Sequence, residues 1–219
     1  MVRFAYEGGQ YYRKRYLGRG WLEGVKARIV GSRAERAWRG TDLLETHAFE
    51  VPQMIVTGWR GADCFMVTRA VAGGVSLMQY MQGLRSQADR EAWRIRRVVA
   101  EELGRIVGRM HTQGIVHGDL RWGNVLVVAD SRRPRFVFLD NERTRHYTRT
   151  PKRRVLKNLV QLNLVPDGVL TRTERMRFWC AYRAEHKTLA GDPKQWIRRV
   201  IARTVWRRAR RMRKNRRNR

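Results

Sequence analysis

Residues 117–127, HGDLRWGNVLV, hold a histidine, an aspartate two positions on and an asparagine five positions after that aspartate, just before a run of apolar β-formers. The aspartate is conspicuous, because the chain carries 48 Lys+Arg against 19 Asp+Glu. A hydroxyl attacking the terminal phosphorus of ATP needs a carboxylate to orient it and accept its proton, and cations to neutralise the phosphate oxygens. Asp119 suits the first task. Asn124 could return to the same site as a metal ligand, and Arg121 between them could reach a phosphate. Asp140 closes the strand pattern FVFL, where a carboxylate on a rigid element can clamp Mg2+. A lone H-x-D is usually a surface turn. A helix, the loop MHTQGIVHGD, a hairpin and a strand-terminal aspartate in that order make phosphoryl transfer the stronger reading.

The elements that must position these groups follow from periodicity and punctuation. From about Asp89 to Met110 the apolar residues Ile95, Val98, Val99, Leu103, Ile106, Val107 and Met110 recur at helical spacing, and Gly114 ends the helix. Asn124–Val128 and Arg135–Leu139 read as two short strands joined by ADSRRP. Upstream, residues 3–16 predict a hairpin turning at Gly8-Gly9, and Ser32 with Glu35 forms a capping-box pattern opening a helix to about His47. Val51–Val56 and Cys64–Val71 read as strands around a Gly61 turn, and Leu77–Leu84 as a short helix. Beyond Asp140 only helices are predicted, over about 152–164, 173–187 and 193–212. This is an α+β chain of two lobes: residues 1–72 form a small β-rich lobe with one helix. Residues 73–206 form a mainly helical lobe, joined at Ala72–Gly74, and 207–219 a basic, flexible tail.

A length of 219 residues suits one compact domain or two small lobes sharing a cleft. The formal net charge of +29 favours anionic partners, whether nucleic acid, a membrane face or a phosphorylated substrate. Cys64 and Cys180 show no metal-ligand or disulfide spacing and fit a reducing cytoplasm. The sequence has neither a membrane-spanning stretch nor an export signal. Trp196, Ile197, Val200, Ile201 and Val205 share one face of the last helix, and residues 207–219 hold nine Lys/Arg in thirteen. That segment reads either as docking to anionic lipid or as a packed helix with a solvated tail.

MHTQGIVHGDLRWGNVLV resembles the catalytic loop of the protein-kinase-like fold, and FVFLDNERT its metal-binding segment. YYRKRY, GSRAERAWRG, CFMVTRAVAGG, FLDNERTR and KNLVQLNLVPDGVLTRTERMRFWCAY extend the similarity, over residues 10–185, to the lipopolysaccharide kinase (Kdo/WaaP) family. The resemblance implies a lysine, Lys14, holding the ATP phosphates and paired with a glutamate, Glu35, with Asp42 or Glu45 as substitutes. It assigns Asp119 as base, Arg121 to the transferring charge, and Asn124 and Asp140 to the metal. It also implies ATP and Mg2+, an inner-core sugar (heptose or Kdo) of lipopolysaccharide as acceptor, and a peripheral place on the cytoplasmic face of the bacterial inner membrane. Gly118 and Asn141-Glu142 depart from protein kinases, and no A-P-E follows, which favours a small or sugar acceptor. His117 is read as structural, and Trp122 as packing or a sugar-stacking platform. Thirteen residues precede Lys14, too few for a first strand and full glycine-rich lid. That shortness motivates the alternative of a catalytically impaired kinase-fold binding protein. A basic nucleic-acid-binding protein ranks last, since charge alone does not call for Asp119, Asn124 and Asp140.

Overall fold

The computed structural model describes residues 1–18, 31–60, 63–87, 89–129, 133–187, 189 and 191–217. The Gly61 turn and part of the ADSRRP connection lie outside these. Strands β1 (Val2–Tyr6) and β2 (Gly9–Tyr16) form the anticipated hairpin. Its turn falls one residue earlier, on Glu7 and Gly8, both with positive φ. Helix α1 (Arg33–Thr46) starts at the capping box: the Ser32 hydroxyl accepts from the Glu35 amide and the Glu35 carboxylate from the Ser32 amide. Strands β3 (Met54–Arg60) and β4 (Asp63–Arg69) complete an antiparallel sheet in the order β1-β2-β4-β3. Alternation along β2 and β4 buries Tyr16 and Cys64, which pack with Ala34 of α1.

The larger lobe opens with β5 (Gly74–Ser76), a strand too short to show in the sequence pattern, and α2 (Leu77–Gln87). Helix α3 (Arg90–Thr112) is capped by the Asp89 side chain and buries Val99, Leu103, Val107 and Met110. Gly104 and Gly108 lie on its face toward α5 (Arg172–Glu185), where an added Cβ would come within 2.3 Å of the Phe178 carbonyl and 2.6 Å of the Tyr182 carbonyl. Only glycine permits that approach. Arg96 of α3 is buried against Glu174 of α5, donating at 2.6 and 3.0 Å and also to the carbonyls of Met81 and Val169. A buried pair so fully hydrogen-bonded fixes the register of the two helices.

After α3 come the loop and short strands that hold Asp119, Asn124 and Asp140. β6 (Ile115–Val116) pairs with β9 (Arg145–His146), and β7 (Val125–Val128) pairs with both β5 and β8 (Arg135–Phe138). Two 3-10 turns, Trp122–Asn124 and Asn141–Arg143, lead into and out of that sheet. Helices α4 (Lys152–Asn163) and α6 (Pro193–Arg217) close the lobe. The basic run read from sequence as a flexible tail continues α6 to Arg217, because arginine and lysine are good helix formers with nothing to break them. The apolar face of α6 divides: Trp196 is buried, whereas Ile201 and Val205 are exposed. Among the described residues no helix is long and apolar enough to cross a membrane. Both cysteines are free.

Candidate active site

The catalytic loop is held by its own backbone before any side chain acts. Gly118 has φ +77°, and an added Cβ there would lie 2.4 Å from the Arg143 carbonyl. An arginine, as in many protein kinases, does not fit at this position. His117 is fully buried: its Nε2 donates to the Leu139 carbonyl at 3.0 Å, and its Nδ1 accepts the Asp119 amide at 3.3 Å. Burial pushes its pKa down to about 4, outweighing the bond to Leu139, so the ring is neutral and its tautomer fixed. This is the structural role read from the sequence. His117 thereby ties the loop carrying Asp119 to the strand end carrying Asp140.

Asp119 accepts from Arg121 and, at 2.7 Å, from Gln161. Asn124 donates its side-chain amide to the Asp119 carbonyl at 2.9 Å and more weakly to the Asp119 carboxylate at 3.4 Å. That leaves the Asn124 side-chain oxygen as the end able to meet a cation. Its backbone carbonyl accepts the Leu139 amide at 2.8 Å, which sets Asn124 beside the start of the metal segment. Asp140 adopts the left-handed region, φ 61° and ψ 48°, an uncommon conformation for a side-chain-bearing residue. Its carboxylate receives Lys14 Nζ at 2.6 Å. Asp140 and Asn124 offer the hard oxygen donors Mg2+ prefers and are the residues that would hold such an ion, with phosphate and water supplying further oxygens.

Lys14, Asp119, Arg121, Asn124 and Asp140 are therefore joined by hydrogen bonds or adjoining backbone. Glu35 is not among them. Lys14 and Glu35 form no ion pair: Glu35 is spent on the Ser32 cap at 2.9 Å and on Arg39 at 3.8 Å, one turn along α1. The capping geometry turns its carboxylate back to the Ser32 amide at the helix start. Neither substitute, Asp42 nor Glu45, pairs with Lys14. The tie between α1 and the metal segment is instead Arg33, whose guanidinium donates to both oxygens of buried Glu142 at 3.0 and 3.1 Å. Lys14 and Arg33 both lie over the Tyr16 ring, 5.0 and 4.8 Å from its centroid.

Comparison with known proteins then decides what this cleft belongs to. The sequence model of the lipopolysaccharide kinase (Kdo/WaaP) family matches residues 2–182. The chain belongs to that family. The lipopolysaccharide core heptose(I) kinase WaaP of Pseudomonas aeruginosa is 30% identical to it over 199 residues, 83% of this chain and 72% of the relative. A solved structure of WaaP in complex with acyl carrier protein superposes with TM-score 0.70 and 22% identity, covering 93% of this chain and 83% of that one. An aminoglycoside-3'-phosphotransferase of type VIII superposes with TM-score 0.51 and 16% identity, over 91% and 87%. The fold is thus the two-lobed protein-kinase-like α+β fold, and this Kdo/WaaP kinase is a phosphotransferase acting on an alcohol group.

Several residues of this Kdo/WaaP kinase escape a motif search. Lys157 of α4 is half-buried and donates to the Gly118 carbonyl; burial lowers its pKa, while Asp119 opposes the shift. Gln161 lies one turn further along the same helix. A signal exists in the sequence: Asn158 and Gln161 interrupt the apolar face made by Val155, Leu159 and Leu162, and buried amides need partners. Trp122 is buried, with its indole N–H donating to the Leu162 carbonyl at 2.7 Å, so it packs the hairpin onto α4 and offers no stacking face.

Proposed function

We propose that this kinase transfers the γ-phosphate of ATP to a hydroxyl of an inner-core sugar of lipopolysaccharide. The observation that carries the reading is the hydrogen-bonded set around Asp119, Asn124, Asp140 and Lys14. Asp119 orients the acceptor hydroxyl and takes its proton, and Lys14 and Arg121 attract phosphate oxygens. Asn124 and Asp140 would hold Mg2+. When bound, that ion neutralises charge building on the phosphates. The heptose(I) kinase relative favours heptose over Kdo as acceptor.

The charge distribution supports a peripheral position on the cytoplasmic face of the inner membrane. Helix α6 exposes Ile201, Val205, Trp206 and Met212 along a strongly basic segment, a composition that suits anionic headgroups. The WaaP structure holding acyl carrier protein makes such a carrier a further partner of this reading. An apolar cavity of about 520 Å3, lined among others by Leu103, Met176, Phe178, Val200 and Ile201, supports it. The deciding experiment incubates purified protein with labelled ATP, Mg2+ and lipopolysaccharide cores that differ in heptose and Kdo content. Transfer to the core, abolished in Asp119→Ala, is the expected result. No transfer, or transfer indifferent to Asp119→Ala, overturns the reading. Stabilisation by Mg-ATP without transfer indicates the binding-module alternative.

A further inference from the structure

Helix α4 turns two side-chain amides toward the catalytic loop. Asn158 and Gln161 are buried, and both are satisfied in a single-file chain of hydrogen bonds. The Tyr182 hydroxyl meets His111 Nδ1 at 2.9 Å, and His111 Nε2 meets Asn158 Oδ1 at 3.1 Å. Asn158 Nδ2 donates to Gln161 Oε1 at 3.2 Å, and Gln161 Nε2 donates to Asp119 Oδ1 at 2.7 Å. Gln161 Oε1 also accepts the Leu120 amide at 3.3 Å.

Only one set of donor directions satisfies this chain. A carboxylate accepts and a backbone amide donates, so the Gln161 amide has its nitrogen toward Asp119 and its oxygen toward Leu120. Asn158 must then donate to Gln161 and accept from His111. His111 therefore carries its proton on Nε2 and accepts from Tyr182 on Nδ1. Burial lowers the His111 pKa to about 4, which keeps the ring in that neutral form.

For Asp119 the two carboxylate oxygens are then not equivalent. Oδ1 is held from beneath by a buried amide whose own orientation is fixed, whereas Oδ2 is met by the solvent-facing Arg121 and, weakly, by Asn124. We propose that Gln161 is a positioning residue for phosphoryl transfer: it pins Oδ1 and presents Oδ2 to the acceptor hydroxyl. In the step, the acceptor oxygen bonds to the γ-phosphorus, the bond to ADP breaks, and the hydroxyl proton goes to Oδ2. The inference rests on the phosphoryl-transfer reading above and names the oxygen and its support.

Gln161→Leu removes the donor, and Gln161→Glu keeps an oxygen for Leu120 and Asn158 while setting a second carboxylate against Asp119. The other groups facing Asp119, namely Arg121, Lys157, His117 and Asn124, stay in place. In Gln161→Leu, kcat is expected to fall about 10- to 100-fold with KM for ATP within about twofold. In Gln161→Glu the acidic limb of the kcat profile is expected to move up by about one pH unit or more. The carboxyl carbon-13 chemical shift of Asp119 at fixed pH, assigned through Asp119→Asn, is expected to change in both variants and needs no turnover. If Gln161→Leu does not fold, the near-isosteric Gln161→Glu carries the comparison. Wild-type inactivity overturns the phosphoryl-transfer reading, and the carbon shift then judges Gln161 alone. An active wild type with unchanged kcat, pH profile and Asp119 carbon shift in the variants overturns the Gln161 inference and leaves the reading standing.

Discussion

Lys14 Nζ donates to Asp140 Oδ1 at 2.6 Å, joining the small sheet to a segment 126 residues further along the chain. Each side chain keeps about 30% of its exposure, so the pair contributes only ~0–1 kcal/mol to stability. On the phosphoryl-transfer reading, its importance lies in placing a cation where phosphate charge must be met. Lys14→Met is expected to lower transfer about 100-fold or more while shifting the melting temperature little. Initial rates with labelled ATP, alongside calorimetry, check both halves, and a large loss of stability with intact turnover counts against this account.

Glu35 predicts the opposite pattern. Because it caps α1, Glu35→Gln preserves the capping box, and activity should stay within about threefold of wild type. Glu35→Ala should destabilise by about 0.5–1 kcal/mol with a proportionate fall in melting temperature. A collapse of kcat in Glu35→Gln, with KM for ATP raised, restores Glu35 as the partner of Lys14.

The Arg33–Glu142 pair is deeper. Glu142 keeps 8% of its side-chain exposure and Arg33 27%, so the two mutations differ in what they leave behind. Arg33→Met leaves the buried Glu142 carboxylate its longer contact with Arg143, at 3.6 Å, and should destabilise by about 2–3 kcal/mol, whereas Glu142→Gln keeps an acceptor and should cost about 1–2 kcal/mol. Urea unfolding of the two variants checks the order. Equal effects argue that the pair does not hold α1 to the metal segment.

Three buried histidines contribute to the acid sensitivity of the fold. Burial lowers the pKa values of His111, His117 and His186 from 6.5 to about 4. The unfolded chain therefore binds more protons than the folded one between those values. Their contribution is complete above about pH 6.5 and is lost as the pH falls toward 4, by up to ~1.4 kcal/mol per histidine per pH unit. Unfolding free energies at pH 7.5, 6 and 5 should decline steeply, and a flat profile rejects the assignment.

Asp119, Asn124 and Asp140 were legible because contiguous motifs and strand ends fix their relative places through local backbone alone. Lys14 was legible only through family resemblance, since nothing in YYRKRY separates it from the arginines around it. Glu35 reads two ways in the sequence, as cap and as ion-pair partner; its carboxylate meets the Ser32 amide and Arg39, and Lys14 meets Asp140 instead. Gln161 reaches Asp119 across 42 residues, a contact created by how α4 docks and marked in sequence only by two amides amid apolar residues. Strands β5, β6 and β9 have two or three residues each, too few for a period of two to register.

Strand β5 has a mechanical consequence. Its pairing with β7 anchors Gly74 to the large lobe, and the Ala70 amide, donating to the Gln10 carbonyl at 2.8 Å, anchors the other end to the small sheet, so the crossing between the two falls to residues 71–73, where Gly73 has φ +66°. Across the same boundary, Lys14–Asp140 and Arg33–Glu142 hold residues two apart in one segment, beside the Asn141–Thr41 hydrogen bond and the Leu44 and Phe49 side chains that join the large-lobe core. Separating the small sheet and α1 from this segment would break both ion pairs at once, so Asp140 and Glu142 would lose these partners together.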